Sequence, residues 1–192
     1  MAGANPFPIP YPAATVQLAY QANFNQPGAG RLAENTRFKK IVTGINPNGI
    51  LVFGCLVCVD HTVTTTLQGG IAQGVKHPAS SGDLNYGIVG LVMASAAMET
   101  RRDTNPPSYQ QFDPANILRA GVMWTAFETA TTVHGAVYVR TTANGSLSQL
   151  GALRGDNDGG NATLVANAYM MDASSQGTYG GYSRIDFNFT GQ

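Results

Sequence analysis

Between Asn116 and Arg140 the chain reads NILRAGVMWTAFETATTVHGAVYVR and contains the sequence's single tryptophan, Trp124. Two runs, Val122–Glu128 and Ala136–Arg140, are rich in β-branched and aromatic residues and bounded by glycine. That composition suits a pleated, half-buried surface and not a helix. With Thr129–Gly135 between them, they are expected to form a rigid hairpin. A second constraint lies at Gly181–Phe189, where Ile185, Phe187 and Phe189 alternate with Arg184, Asp186 and Asn188. Strict alternation puts one set on a core and the other in solvent.

Most of the remaining pattern is strand-like. Phe38–Thr43 and Ile50–Val59 are expected as strands joined through the turn Asn46-Pro47-Asn48-Gly49. Short strands are expected at Thr62–Leu67 and Ile71–Val75, and a loop from Lys76 to Asn85. Gly87–Ala97 reads as a strand bulged at Gly90. Arg101–Ala115, with Pro106, Pro107 and Pro114, reads as a surface loop. Gly145–Gly160 is loop-rich with a short strand near Leu150–Leu153, and Ala162–Met171 is a further strand. No segment requires a long amphipathic helix. Many short strands separated by turns predict an all-β fold, an antiparallel jelly-roll-like sandwich or a small barrel.

Residues 1–37 differ from the single β-rich domain expected over 38–192. Pro6, Pro8, Pro10 and Pro12 alternate with Phe7, Ile9 and Tyr11, so this piece is extended and barred from a central sheet. It reads as an arm laid across a neighbouring subunit, with Phe7, Ile9, Tyr11, Tyr20 and Phe24 as anchors. A proline-stiffened segment loses less entropy on docking than a Gly/Ser tail. The simpler alternative is a disordered tail.

Charged residues make up 11% of the chain and the formal net charge is zero, against about 25% charged in an ordinary soluble domain. Without clustered Lys and Arg to neutralise phosphates, direct nucleic-acid binding is disfavoured. Ile50–Val59 is the best apolar run and is half the length a membrane helix needs. The start of the chain lacks the layout of a signal peptide, so synthesis in a cytoplasm is expected.

Little here suggests reactive chemistry. Cys55 and Cys58 form a lone Cys-x-x-Cys within a strand-like run. It lacks the second ligand pair of a zinc site, so two buried apolar thiols are expected. Asp156-Asn157-Asp158-Gly159-Gly160 reads as a turn, with an incidental cation at Asp156 and Asp158 as the alternative. There is no nucleophile elbow, phosphate loop or His-Glu-x-x-His, and no cofactor or metal is called for. Glu128 reads as a charged strand end. The competing reading is a hydrolase acid meeting Asp113 or Asp186.

From Gly87 to Phe189 the chain resembles the structural cement, or head decoration, proteins of tailed bacteriophages. The likeness rests on Gly87-Ile88-Val89-Gly90-Leu91-Val92, then Leu118-Arg119-Ala120-Gly121 before the Trp124 strand, then Gly135 with Val137-Tyr138-Val139-Arg140. Gly151 to Arg154, Asp158-Gly159-Gly160-Asn161-Ala162, Ala168-Tyr169 and the strand Ile185 to Phe189 complete the order. The resemblance implies a β-rich oligomer bound outside an icosahedral head, over symmetry axes, that braces the shell against packaged DNA. Its partners would be the major capsid protein and further copies of itself, a trimer being favoured. The copy interface is then expected around Trp124, Tyr138 and Arg140, with the arm reaching the capsid. The rival reading is an exposed virion domain binding host carbohydrate through Tyr109, Tyr179 and Tyr182.

Overall fold

The computed structural model describes residues 29–33, 39–63, 73–94, 108–173 and 182–190. These form β1 (Lys40–Ile45), β2 (Leu51–Val52), β3 (Leu56–Val59), β4 (Gln73–Lys76), β5 (Ile88–Val92), β6 (Ser108–Tyr109), β7 (Pro114–Ala126), β8 (Ala136–Arg140), β9 (Leu153–Arg154), β10 (Ala162–Met170) and β11 (Tyr182–Asn188). Helical structure among them is limited to the single turn α1 (Ser81–Leu84) and a 3-10 turn at Asp158–Gly160. The protein is all-β, as the spacing of its short apolar runs predicts.

One sheet runs β1-β4-β3-β5-β7-β11-β10-β8-β9, and β1 also pairs with β7. That extra pairing closes β1, β4, β3, β5 and β7 into a small barrel. The remaining strands extend from the second half of β7, where Ile185 pairs with Met123 and Phe187 with Gly121. At the far end, Leu153 of β9 bridges to Phe127, just beyond β7. The second set of strands therefore also curls back onto β7.

The shared wall of β3, β5 and β7 has a core on each side. Val57, Val89, Val92, Ala115 and Ile117 face the barrel interior with Leu51, Phe53, Val75 and Tyr109. Leu56, Ile88, Leu91 and Leu118 face the other way, onto Met123, Val137, Val139, Leu153, Val165, Ile185, Phe187 and Phe189. Strands buried on both faces need apolar residues at every position, which is why β3 reads LVCV and β5 reads IVGLV. The β5 bulge falls where expected. Val57 pairs with Gly90 but Cys58 with Ile88, and the extra residue lets Ile88 and Leu91 face one core and Val89 and Val92 the other.

The expected hairpin is not formed. β7 pairs with β11, while β8 pairs with β10 and β9. Two strands lie between the halves of the supposed hairpin, and Thr129–Gly135 is a crossing connection. The composition marks strands correctly but carries no information about their neighbours. The Ile50–Val59 run is likewise interrupted. A turn at Phe53-Gly54, with Gly54 at φ +77°, separates β2 from β3. The Arg101–Ala115 loop contains β6 and the start of β7. There Tyr109 is 2% exposed and packs edge-on against Phe53 at 5.2 Å. The loop after β4 holds α1, capped by the Ser80 hydroxyl accepting from the Asp83 N–H. Residues 64–72 of the two expected short strands, and the arm residues Phe7, Ile9, Tyr11, Tyr20 and Phe24, lie outside the described residues.

His77 pins the β2–β3 turn. Its Nε2 accepts from the Val52 N–H at 3.1 Å, and its Nδ1 lies 2.9 Å from the Leu56 carbonyl. Because Nε2 accepts, Nδ1 carries the proton and donates, and the ring is neutral. Desolvation lowers its pKa below 6.5, against a smaller upward pull from the Leu56 carbonyl. The unfolded chain then takes up a proton near pH 6.5 that the folded chain refuses, so stability falls as pH drops through and below that value. We expect the thermal midpoint to fall by a few degrees, about 1 kcal/mol, between pH 8 and pH 5.5. His77→Gln should remove that part of the slope in a pH series of melting curves. An equal slope in the variant would refute the assignment.

Candidate interaction face

Most side chains of the C-terminal sheet sort by face. Met123, Val137, Val139, Val165, Ala168, Met170, Ile185 and Phe187 point inward and are buried. The outward side carries aromatic residues matched across strands. Arg184 lies opposite Trp124, Asp186 opposite Tyr169, and Leu164 opposite Tyr138. Leu164 and Tyr169 are more than half exposed, at 57% and 56%. Exposed aromatic and aliphatic side chains thus share this face with Arg184 and Asp186.

Trp124 is half-buried, with the Arg184 guanidinium 5.8 Å from its ring centroid. Arg184 is held in place by Asp172 through Nε and Nη2 at 2.9 and 2.8 Å. The same contacts hold the Asp172 carboxyl below its ordinary pKa. Trp124 on β7 and Tyr138 on β8 flank the two middle strands, β11 and β10. On β10, Val165 pairs with Val137 but Tyr169 with Ala136. The register shifts across residues 166–168, where Asn167 is at φ +59°.

Arg140 belongs to a different structure. Its side chain has no solvent exposure, so it offers no surface to a partner. Its Nε lies 2.9 Å from both Glu128 carboxylate oxygens, its Nη2 2.7 Å from Oε2, and its Nη1 2.9 Å from Asp158 Oδ2. Arg154, 4% exposed, joins from β9 with Nη1 at 3.1 Å from Glu128 and 3.2 Å from Asp158. The Glu128 hydrogen bond is the main cause raising the Arg140 pKa. The Asp158 carboxyl is lowered by the Asn144 amide first and then by Arg140 and Arg154. This charge clasp ties the end of β7 to β8, β9 and the 156–160 turn.

The clasp also accounts for the acidic residues singled out in the sequence. Glu128 is engaged by two guanidiniums and not by Asp113 or Asp186. Asp156 pairs with Arg154 at 2.6 Å, so the Asp156/Asp158 turn is already neutralised by arginine. Among the described residues no group of three or more His, Cys, Asp or Glu is placed to hold a metal. Both cysteines are free and buried, and desolvation pushes each thiol up to about 12. No described helix is long and apolar enough to cross a membrane. Of the aromatic residues considered for carbohydrate, Tyr109 is in the core, Tyr182 is on the outward face at 38% exposure, and Tyr179 lies outside the described residues.

The described residues thus form a double-cored β fold with aromatic residues on its outward face. The family model of the phage structural cement proteins, described as "Structural cement protein (E217 gp24/Pam3 gp6)", matches residues 16–188. The chain belongs to that family, and its role is structural, in the phage capsid. A chain of the solved structure "The capsid of Myoviridae Phage XM1" shares the fold, with a TM-score of 0.58 and 14% identity. The alignment covers 84% of this chain and 89% of that one. Among curated proteins none matches.

Proposed function

We propose that this protein decorates the outer surface of a phage head at symmetry axes and braces the shell against the pressure of packaged DNA. The observation that carries the reading is the placement of Trp124 and Tyr138 on opposite flanks of one sheet face. A closed ring of three copies uses a heterologous contact, in which one patch meets a different patch on the next copy. The Trp124 flank and the Tyr138–Leu164 flank supply two such patches. The N-terminal arm, anchored by Phe7, Ile9, Tyr11, Tyr20 and Phe24, reaches the major capsid protein. A standard contact of about 800 Å² per partner is within reach of an arm plus one sheet edge. Several feet on one oligomer strengthen the hold without any single tight contact.

The role proposed is non-catalytic, and zero net charge fits a protein partner better than DNA. Mass measurement in solution should give a trimer that Trp124→Ala with Tyr138→Ala shifts to monomer while the melting curve stays cooperative. Particles lacking the protein should lose an external density in cryo-microscopy and release DNA at lower temperature. Identical maps and identical release temperatures would refute the bracing role.

A further inference from the structure

We propose that a groove in the middle of the C-terminal sheet binds a neutral saccharide. The groove has a volume of about 390 Å³ and is lined by Asn167, Tyr169, Asp186, Phe187, Asn188 and Thr190. It lies on β10 and β11, between the two flanks assigned to the copy contact, and its occupancy is a separate matter from attachment to the shell.

The β10 bulge builds this groove. Asn167 holds a left-handed backbone, at φ +59°, a conformation asparagine adopts more readily than other side-chain-bearing residues. Tyr169 stands directly across from Asp186 on the outward face, giving a 56% exposed ring beside a carboxylate. The Asp186 carboxylate, the Tyr169 hydroxyl and the Asn167 amide have no side-chain partner among the described residues. Asn188 is oriented: its Oδ1 accepts from the Thr190 N–H at 3.1 Å and from the Thr190 hydroxyl at 2.7 Å. Its NH₂ is thereby left as the donor.

The ligand class follows from this inventory. A carboxylate with only acceptor atoms suits adjacent hydroxyls, the two amides supply donors to ligand oxygens, and the exposed ring suits the C–H face of a pyranose. An anionic sugar would meet Asp186 with no cation among the described groove residues to offset it. A cationic ligand has no acceptors for the amides, and an apolar one would desolvate the carboxylate unpaired. A shallow groove of this kind binds weakly per site, and copy number multiplies the hold.

The test uses the full-length oligomer, with methyl glycosides of glucose, galactose and mannose, sialyllactose and lysine amide as probes in saturation-transfer NMR. A neutral glycoside should bind with a dissociation constant on the order of 1 mM. Tyr169→Ala and Asp186→Asn should each weaken binding at least tenfold, with the thermal midpoint unchanged. Binding confined to sialyllactose or to lysine amide would overturn the proposal. So would sugar binding indifferent to both substitutions, or no binding to any probe, as expected if a second copy covers the groove. Loss of shell attachment in the same variants would show that the groove serves the capsid contact and would equally overturn it.

Discussion

Arg140→Met is expected to destabilise the protein by about 3–5 kcal/mol, the usual result of removing one partner from a buried ion pair. For a chain of this size that corresponds to a fall in melting temperature of roughly 10 °C. The guanidinium is fully buried and satisfies both Glu128 oxygens and Asp158 together. Without it, Glu128, only 9% exposed, retains Arg154 alone. Arg140→Lys keeps the charge but not the planar fork and should cost less than Arg140→Met. Combining Arg140→Met with Glu128→Gln should recover part of the loss, because the uncompensated charge is gone. Asp156, 57% exposed, sits at the solvent edge, and Asp156→Ala should cost under about 1 kcal/mol. Urea titrations of the four variants provide the check, and an Arg140→Met cost below about 1 kcal/mol would reduce the clasp to a surface ornament.

The other large effect is expected at Gly90. Its backbone is at φ +155°, and an added Cβ would lie 2.1 Å from the Leu118 carbonyl oxygen and 2.8 Å from its carbon. Those atoms are backbone in the wall between the two cores, so no flexible side chain can yield. Gly90→Ala should therefore cost more than about 4 kcal/mol and appear as loss of soluble protein. Gly145 provides the control. It too has positive φ, at +58°, but nothing lies within 4 Å of an added Cβ. Gly145→Ala should cost only the roughly 1–2 kcal/mol of left-handed strain. Similar yields and melting curves for the two variants would show that the wall tolerates displacement at Gly90.

The contrast between these two sites shows what the sequence conveys. Gly90, inside an apolar run, signals a bulged strand because a glycine there leaves a gap that only close backbone approach explains. The β11 strand is equally legible: Ile185, Phe187 and Phe189 are all buried at 2% or less, as their alternation predicts. Arg140 is not legible in this way. An arginine at a strand end resembles a surface residue, and Glu128 and Asp158 are 12 and 18 positions away on other elements. Tyr109 is hidden for a similar reason, since its proline-bounded segment looks exposed until β2 pairs with it. Pairing itself is the largest gap. Trp124 and Tyr138 lie on strands correctly recognised, but β11, from the far end of the sequence, inserts beside β7 where a local hairpin was expected. The groove depends on that insertion, because Asp186 meets Tyr169 only after β10 and β11 come together.

β7 is thirteen residues long and belongs to both halves of the molecule. A load applied to one half reaches the other as shear along a single continuous strand, with many hydrogen bonds resisting at once. A flexible linker between two separate domains would instead extend under the same tension. A tie whose two ends cannot move apart is suited to holding together parts that are being pushed outward.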